Sequence, residues 1–405
     1  MYYKGYKIRL LPTPEQEQNL KLKCNISRFV WNWCLAYQMK NFENGNKYIK
    51  RYDFTKIFVQ EKNNNEDLAW LRNHVGSIIN LRIADLDKSF HEFFEYRKSG
   101  GLKYSKNCKV FDMYHLIKHP KFKSKRDSNM FPMRKDRLSF YTKNNADMPW
   151  KIKYINHVNI ENIGYIKFQT HYDTNLFLDG SKIWNPRISL VNGKWILSFT
   201  VETDENQVQL NNYSCGVDVG IKNLATVSCN GEVKIYKNIN KTAAMKKKQK
   251  KLKRLQRTMS KCQKYSKRRQ KAKNKYSKYS KHLSNIRQNY IHNCSADIIK
   301  KLPERIIVES VKVKSWQKAK LIDVNREVQY SNVYEFLQQL EYKSHNNGIK
   351  FIKADKYYPS TQLCSCCGTR KKLNLNERIY YCDVCGLEID RDVNAAINLE
   401  HYNYK

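Results

Sequence analysis

Two cysteine pairs, within "CSCC" at 364–367 and "CDVC" at 382–385, carry the plainest chemistry in this 405-residue sequence. Each C-x-x-C can present two thiolates to one ion, and the 14 residues between the pairs let a second hairpin complete a tetrahedron. Gly368 and Gly386 follow the pairs, where the tight turns of a metal knuckle need φ > 0. Cys364, Cys367, Cys382 and Cys385 are therefore expected to hold one Zn²⁺. Four thiolates leave no open position, so that ion is structural, and Cys366 is the spare. A second set of candidates is dispersed. Asp218 stands between two valines in "CGVDVGIKNLATVS", residues 215–228, a strand that otherwise looks half-buried. Glu309 ends the run "RIIVE", and Asp392 begins a helical segment after the cysteines. Brought together, three carboxylates would repel one another unless divalent cations neutralised them. Two Mg²⁺ about 4 Å apart can activate a water and stabilise the leaving 3′ oxygen of a phosphodiester. Asp390, two residues from Asp392, competes with it on pattern alone.

The elements that must position these residues follow from periodicity. "YYKGYKIRLLP" reads as a strand, and Thr13, Pro14 and Gln16 form the capping box and first turn of a helix. Leu20, Cys24, Trp31 and Leu35 share one face of that helix. Leu71, Val75, Ile78, Ile79, Ile83, Leu86, Phe90 and Phe94 make a second helical stripe, giving a helical block over about 13–98. Short strands follow to about 205. Among them "PRISLVNGKWILSFTVE" at 186–202 is a hairpin with a type I′ Asn192-Gly193 turn, and the region reads as a barrel that includes the first strand. The polar run at 202–212 reads as a linker. Three meandering strands come next, near 214–219, 224–229 and 233–237. After a helical hairpin there are strands at 305–310 and 349–356, with a helix at 331–345 between them and another after the cysteines. That order is a mixed α/β sheet matching the ribonuclease H-like fold, in which the first and fourth strands are neighbours and the last helix crosses their ends. Asp218, Glu309 and Asp392 would then converge.

Charge narrows the partners. The chain carries 76 Lys and Arg against 37 Asp and Glu, a formal net charge of +39, so a compact state is expected to form beside a polyanion. Nucleic acid fits best and an anionic membrane surface second. No stretch approaches the roughly 20 apolar residues of a spanning helix, and the start lacks the apolar core of a signal peptide. An intracellular, cytoplasmic protein is expected. The scattered cysteines 24, 34, 108, 215, 229, 262, 294 and 366 read as ordinary buried thiols of a reducing compartment. Between Lys241 and Tyr290 there are 20 Lys or Arg and no acid, on a pattern of two helices with an apolar seam. Cations unrelieved by any anion argue for phosphate contact.

Several of these motifs resemble one known family. "GVDVGIKNLATVS", "IIVES", "TQLCSCCG" with "CDVCG", and "RDVNAAINL" are similar to motifs of TnpB, transposon-encoded RNA-guided DNA endonucleases related to compact type V CRISPR effectors. The likeness covers nearly the whole chain, including "YKIRLLPTPEQ", "HPKFKSKRD" at 119–127 and the basic run ending "NIRQNYIHN". It implies that Asp218, Glu309 and Asp392 are the three RuvC acids that bind two Mg²⁺, and it settles Asp392 over Asp390. It implies a multidomain α+β protein: a wedge β-barrel (1–12 and 100–205) with a helical recognition insertion (13–99) and a linker (206–213). A RuvC-like nuclease domain (214–361) follows with its basic hairpin (241–292), then the zinc ribbon (362–388) and a last RuvC segment (389–405). It implies as partners a guide RNA from the transposon end and double-stranded DNA carrying a short adjacent motif, in a prokaryotic, nucleoid-associated setting. With base pairing supplying specificity, the protein need only grip backbones. The expected grips are Lys121, Lys123, Lys125 and Arg126, and on the hairpin Lys253, Arg254, Arg257, Lys267, Arg268 and Arg269. One departure is Ser310-Val311 after Glu309, where the family more often has Asp or Asn and then Leu. Two other readings use the same motifs: a guided DNA-binding regulator without cleavage, which would be expected to lose one or more acids, and a transposase joining strands with them.

Overall fold

The computed structural model describes residues 2–72, 76–101, 103, 116–125, 129–141, 156–172, 174, 183–203, 208–311, 313–316, 322–374 and 377–402. Arg126, Val75 and Cys108, singled out above, lie outside them. The chain divides into two compact units, Met1–Thr203 and Asp204–Lys405.

The first unit begins with β1 (Tyr2–Leu11) and α1 (Pro14–Glu43), followed by α2 (Arg51–Asn64) and α3 (Gly76–Lys98). The capping box at the head of α1 forms as expected: the Gln16 amide donates to Thr13 Oγ1, and the Thr13 amide donates to the Gln16 side chain. Its strands are β2 (Met130–Pro132), β3 (Leu138–Tyr141), β4 (His157–Ile160), β5 (Gly164–Gln169), β6 (Ile183–Val191) and β7 (Lys194–Thr203). They run β2-β6-β7-β1-β5-β4-β3, every pair antiparallel. Among the described residues this sheet keeps two edges, β2 and β3, so the expected barrel is seen as a half-barrel that includes β1. Asn192 (φ 51°) and Gly193 (φ 75°) turn β6 into β7 as the type I′ pair requires. Helices and sheet share one core, with Leu20, Val30, Cys34, Phe58 and Phe90 packed in the same cluster as Ile8, Ile188 and Leu197.

The second unit carries β8 (Asn211–Val219), β9 (Asn223–Cys229), β10 (Glu232–Lys237), α4 (Ala243–Lys261), α5 (Lys267–Ile299) and β11 (Pro303–Val308). It continues with α6 (Ile322–Ser331), α7 (Val333–Asn346), β12 (Lys350–Lys353), β13 (Ile379–Tyr381), β14 (Glu388–Asp390) and α8 (Arg391–Glu400). β8 starts inside the stretch read as linker. Its sheet runs β10-β9-β8-β11-β12, with β8 antiparallel to β9 and parallel to β11. Side chains alternate across it: Ile306 and Val308 join Ile291, Ile298, Phe336 and Leu340 of α5 and α7, while Ile307 packs against Leu399 of α8. By the same alternation Cys215 and Val217 face α5 and α7, leaving Gly216 and Asp218 on the α8 side.

Two cysteine expectations need correcting. Cys215 and Cys229 stand directly opposite on β8 and β9, Cα atoms 4.3 Å apart, and are joined in a disulfide. The antiparallel register creates that meeting, and such close facing pairs are the non-hydrogen-bonded sites of the ladder. Cys262 and Cys366 are not buried either: the first is half-exposed beside the α4–α5 turn and the second exposed next to its ribbon neighbours.

Candidate active site and metal centre

Asp218 lies one residue from the end of β8 and is about nine-tenths buried. Glu309 follows the last residue of β11, the parallel neighbour, and Asp392 is the second residue of α8, which crosses β8 and β9. Burial first, and then the charges of Glu309 and Asp392, push the Asp218 carboxyl well above its ordinary range. Arg391 offsets part of that effect. Burial also raises Glu309. Glu309 and Asp392 thus stand close enough to Asp218 for their charges to oppose its ionisation. Among the described residues, however, only the four cysteines form a set whose ligand atoms all fall within 4.8 Å. The oxygens of the three acids do not all fall within that span.

The competing carboxylate has another task. Asp390 is the N-cap of α8, and its Oδ1 accepts from the amides of Asp392 (2.9 Å) and Val393 (3.3 Å). That cap fixes the first turn, where Asp392 sits.

What lets α8 lie so low on the sheet is Gly216. A Cβ there would overlap the Ala396 carbonyl oxygen and the Glu400 amide nitrogen, and would sit 2.8 Å from the Leu399 carbonyl carbon. Ala395 and Ala396, both fully buried, supply the matching small face. At the far end Glu400 accepts from Ser228 Oγ and from the Asn230 amide (2.6 Å), pinning α8 to the β9–β10 turn. Sequence reasoning missed Gly216. Its signal was a glycine inside a strand with no turn to explain it, which marks close backbone approach.

In the ribbon, Cys364 Sγ lies 3.5 Å from Cys385 Sγ, and Cys367 Sγ lies 3.5 Å from Cys382 Sγ. A tetrahedral shell with metal–sulfur bonds of about 2.3 Å separates its sulfurs by about 3.8 Å, so the four fit one ion. Gly368 (φ 74°) and Gly386 (φ 71°) make the two knuckles. The Thr369 hydroxyl and amide hold the Cys367 thiol down at about 6. The amides of Cys385 and Val384 lower Cys382. Donors aimed at sulfur thus favour the thiolate at Cys367 and Cys382, whereas the facing Cys364, Cys382 and Cys367 sulfurs push Cys385 up to about 12.

The expected backbone grips divide. Lys121 and Lys125 are exposed, but Lys123 is half-buried, its ammonium 3.4 Å from the centre of the Trp31 ring. Burial pulls it down to about 8, with Arg82 the next contributor. The segment is fastened to α1: Trp31 donates to the Lys121 carbonyl, and the Asn32 carboxamide both donates to the Lys123 carbonyl and accepts from its amide. Lys123 is thus packed into the fold, a role that charge counting could not show. On the hairpin Lys253, Arg254, Arg257, Lys267 and Arg268 are exposed, while Arg269 donates to the Cys262 carbonyl and closes the turn. In α4 only Met245 is buried, and in α5 the first buried side chain is Leu283.

Two candidate centres therefore stand in the second unit: three acids at the ends of neighbouring elements, and four cysteines placed so that they could hold one metal ion. Comparison with known proteins narrows this. Residues 1–47 match a family model described as "Helix-turn-helix domain", 198–320 one described as "Probable transposase", and 334–399 one described as "Cas12f1-like, TNB domain". Here residues 1–47 hold a strand and one uninterrupted helix. The putative RNA-guided DNA endonuclease InsQ of Escherichia coli is 27% identical over 98% of this chain and 91% of its own length. TnpB-like protein L79 of Acanthamoeba polyphaga mimivirus is 28% identical over 51% of this chain and 40% of its own. A solved structure of the mini-RNA-guided endonuclease CRISPR-Cas_phi3 aligns at 11% identity and a TM-score of 0.48, covering 98% of this chain and 92% of that one. Together these matches support a place for the chain in the TnpB family.

Proposed function

We propose that this chain is an RNA-guided, Mg²⁺-dependent DNA endonuclease with one RuvC-like, ribonuclease H-like active site and one structural zinc ribbon. The observation that carries it is the buried Asp218 carboxyl, opposed by Glu309 at the end of the adjacent parallel strand and by Asp392 in the first turn of α8. Divalent cations, when bound, would supply the positive charge that polarises a phosphodiester and lowers the pKa of water. Asp218, Glu309 and Asp392 would hold them. The chain's own work is positional: β8 and β11 fix two acids by their parallel register, and the Asp390 cap and Gly216 contact fix the third. The half-barrel and helices of the first unit are read as the wedge and recognition regions. The exposed basic faces of 121–125 and of α4 and α5 would hold guide RNA and target DNA by their backbones. The likeness to InsQ across almost the full length supports the same reading. No helix among the described residues is long and apolar enough to cross a membrane.

The test is to express the chain with its native flanking DNA, sequence the RNA that copurifies, and reprogramme it against a plasmid. Asp218→Ala is expected to abolish cleavage while guided binding persists. Undiminished cleavage by that variant, or only random RNA fragments in the preparation, would refute the proposal.

A further inference from the structure

The ribbon and the third acid share α8. Asn394 is completely buried and Asn398 nearly so, one turn apart on the same helix face. Asn394 Oδ1 accepts from the Ser365 amide (2.9 Å), and its Nδ2 donates to the Leu363 carbonyl (2.6 Å). Asn398 Nδ2 donates to the same carbonyl and to that of Ser360, both at 2.8 Å. Leu363 and Ser365 flank Cys364, so one carboxamide grips the backbone on both sides of a thiolate ligand. The ribbon also leaves through α8: β14 pairs with β13 and ends at Asp390, the helix cap, while the Arg391 amide donates to the Arg378 carbonyl (2.8 Å). Entry and exit of the ribbon are thus both fastened to the first two turns of the helix that presents Asp392.

We propose that Asn394 is a positioning residue that couples the thiolate metal site to the carboxylate site. A ribbon closed round its ion holds 363–365 in place, Asn394 transmits that placement, and Asp392 stands where a divalent cation needs it. The inference rests on the reading above that the acids bind such cations. Emptying the ribbon should then weaken divalent binding at the acids, and by linkage the reverse effect has the same factor.

The measurement is calorimetric Mn²⁺ binding to the full chain free of nucleic acid, zinc-loaded and zinc-stripped, for wild type, Asn394→Asp and Asn398→Ala. Aspartate matches asparagine in size and keeps the acceptor for Ser365, but turns a carboxylate oxygen toward the Leu363 carbonyl. Zinc-loaded Asn394→Asp is expected to bind Mn²⁺ about tenfold more weakly, the scale of lost support to a metal ligand. Stripped wild type should fall by a similar factor. Stripping Asn394→Asp should add less than about twofold, because the link is already cut. Asn398→Ala, which leaves both Asn394 contacts intact, should lose no more than about threefold and serves if the aspartate variant does not fold. Guided DNA binding should be unchanged in both variants, with the Mn²⁺ concentration for half-maximal cleavage shifted in step with the binding constant. Wild-type affinity in Asn394→Asp, or an equal loss on stripping both proteins, would overturn the coupling alone. If wild type bound no Mn²⁺, or Asp218→Ala bound it equally well, the nuclease reading would fall too.

Discussion

Gly216→Ala is the sharpest perturbation the fold offers, because it adds one methyl group and no charge. That methyl would meet three backbone atoms of α8, the Leu399 carbonyl carbon at 2.8 Å and two others closer still. Carbon atoms settle at about 3.5–4.0 Å, so the helix must withdraw by about 1 Å or more. Backbone cannot rotate away as a flexible side chain can, and Glu400 already anchors the helix end to Ser228 and Asn230. Overpacking of this kind costs roughly 1–3 kcal/mol. The larger effect should be catalytic, since Asp392 rides on the same helix and a 1 Å misplacement can cost about 100-fold. The assay is single-turnover cleavage of a programmed target, with guided binding measured in parallel. Expected is a loss of about 100-fold in rate with binding within about threefold of wild type. Gly5→Ala is the control, because a Cβ at that strand position meets nothing within 4 Å. Gly216→Ala cleaving within threefold of wild type would show that the helix does not set the geometry of the acids.

Two further expectations concern the second unit. Lys343, buried between α7 and α5, donates to the His292 carbonyl (2.9 Å) and to Ser295 Oγ (2.6 Å), and burial pulls its ammonium down to about 8. Its folded pKa lies below the unfolded value of about 10.4, so the folded chain binds fewer protons between the two and gains stability as pH rises through that window. The Tm of wild type relative to Lys343→Met should therefore climb between about pH 8 and pH 10, and parallel curves would contradict the burial argument. The disulfide predicts that the denatured, unreduced, metal-free chain offers ten of its twelve cysteines to alkylation, with a peptide pair linking Cys215 to Cys229 in mass spectra. Twelve modified cysteines would show the pair reduced in solution.

Local signals were read from the sequence with little loss. Thr13 and Gln16 cap α1, Asn192-Gly193 turns β6 into β7, and β8 to β10 meander as the alternation implied. Each depends on residues a few positions apart. What stayed hidden depends on register or on depth. Whether Cys215 meets Cys229 is decided by how β8 pairs with β9, and a shift of one residue would turn the two away from each other. Lys123 looked like a solvated cation because composition cannot show an aliphatic stem laid over Trp31. Asn394 and Asn398 were not singled out in the sequence, yet they are among the most buried residues of α8. Only the position of the ribbon backbone explains them. Asp392 and Asp390 were inseparable on spacing alone; the resemblance favoured Asp392, and Asp390 turns out to be the N-cap of α8.

The order of the acids along the chain has a consequence for synthesis. A ribosome emits Asp218 first, then Glu309, and Asp392 only after the ribbon that positions it. At roughly 5–20 residues per second, the last interval of about 80 residues takes on the order of 4–16 s. The basic helices α4 and α5 are complete before that interval begins, so, on the proposed assignment of the acids, the nascent chain can gather RNA while it still lacks the means to cut. A message broken between the codons for Cys385 and Asp392 would yield a product that keeps the cationic arm and all four thiolates yet lacks the third acid. Such fragments would compete for the guide without cleaving anything, lowering the dose of active nuclease in proportion to their abundance.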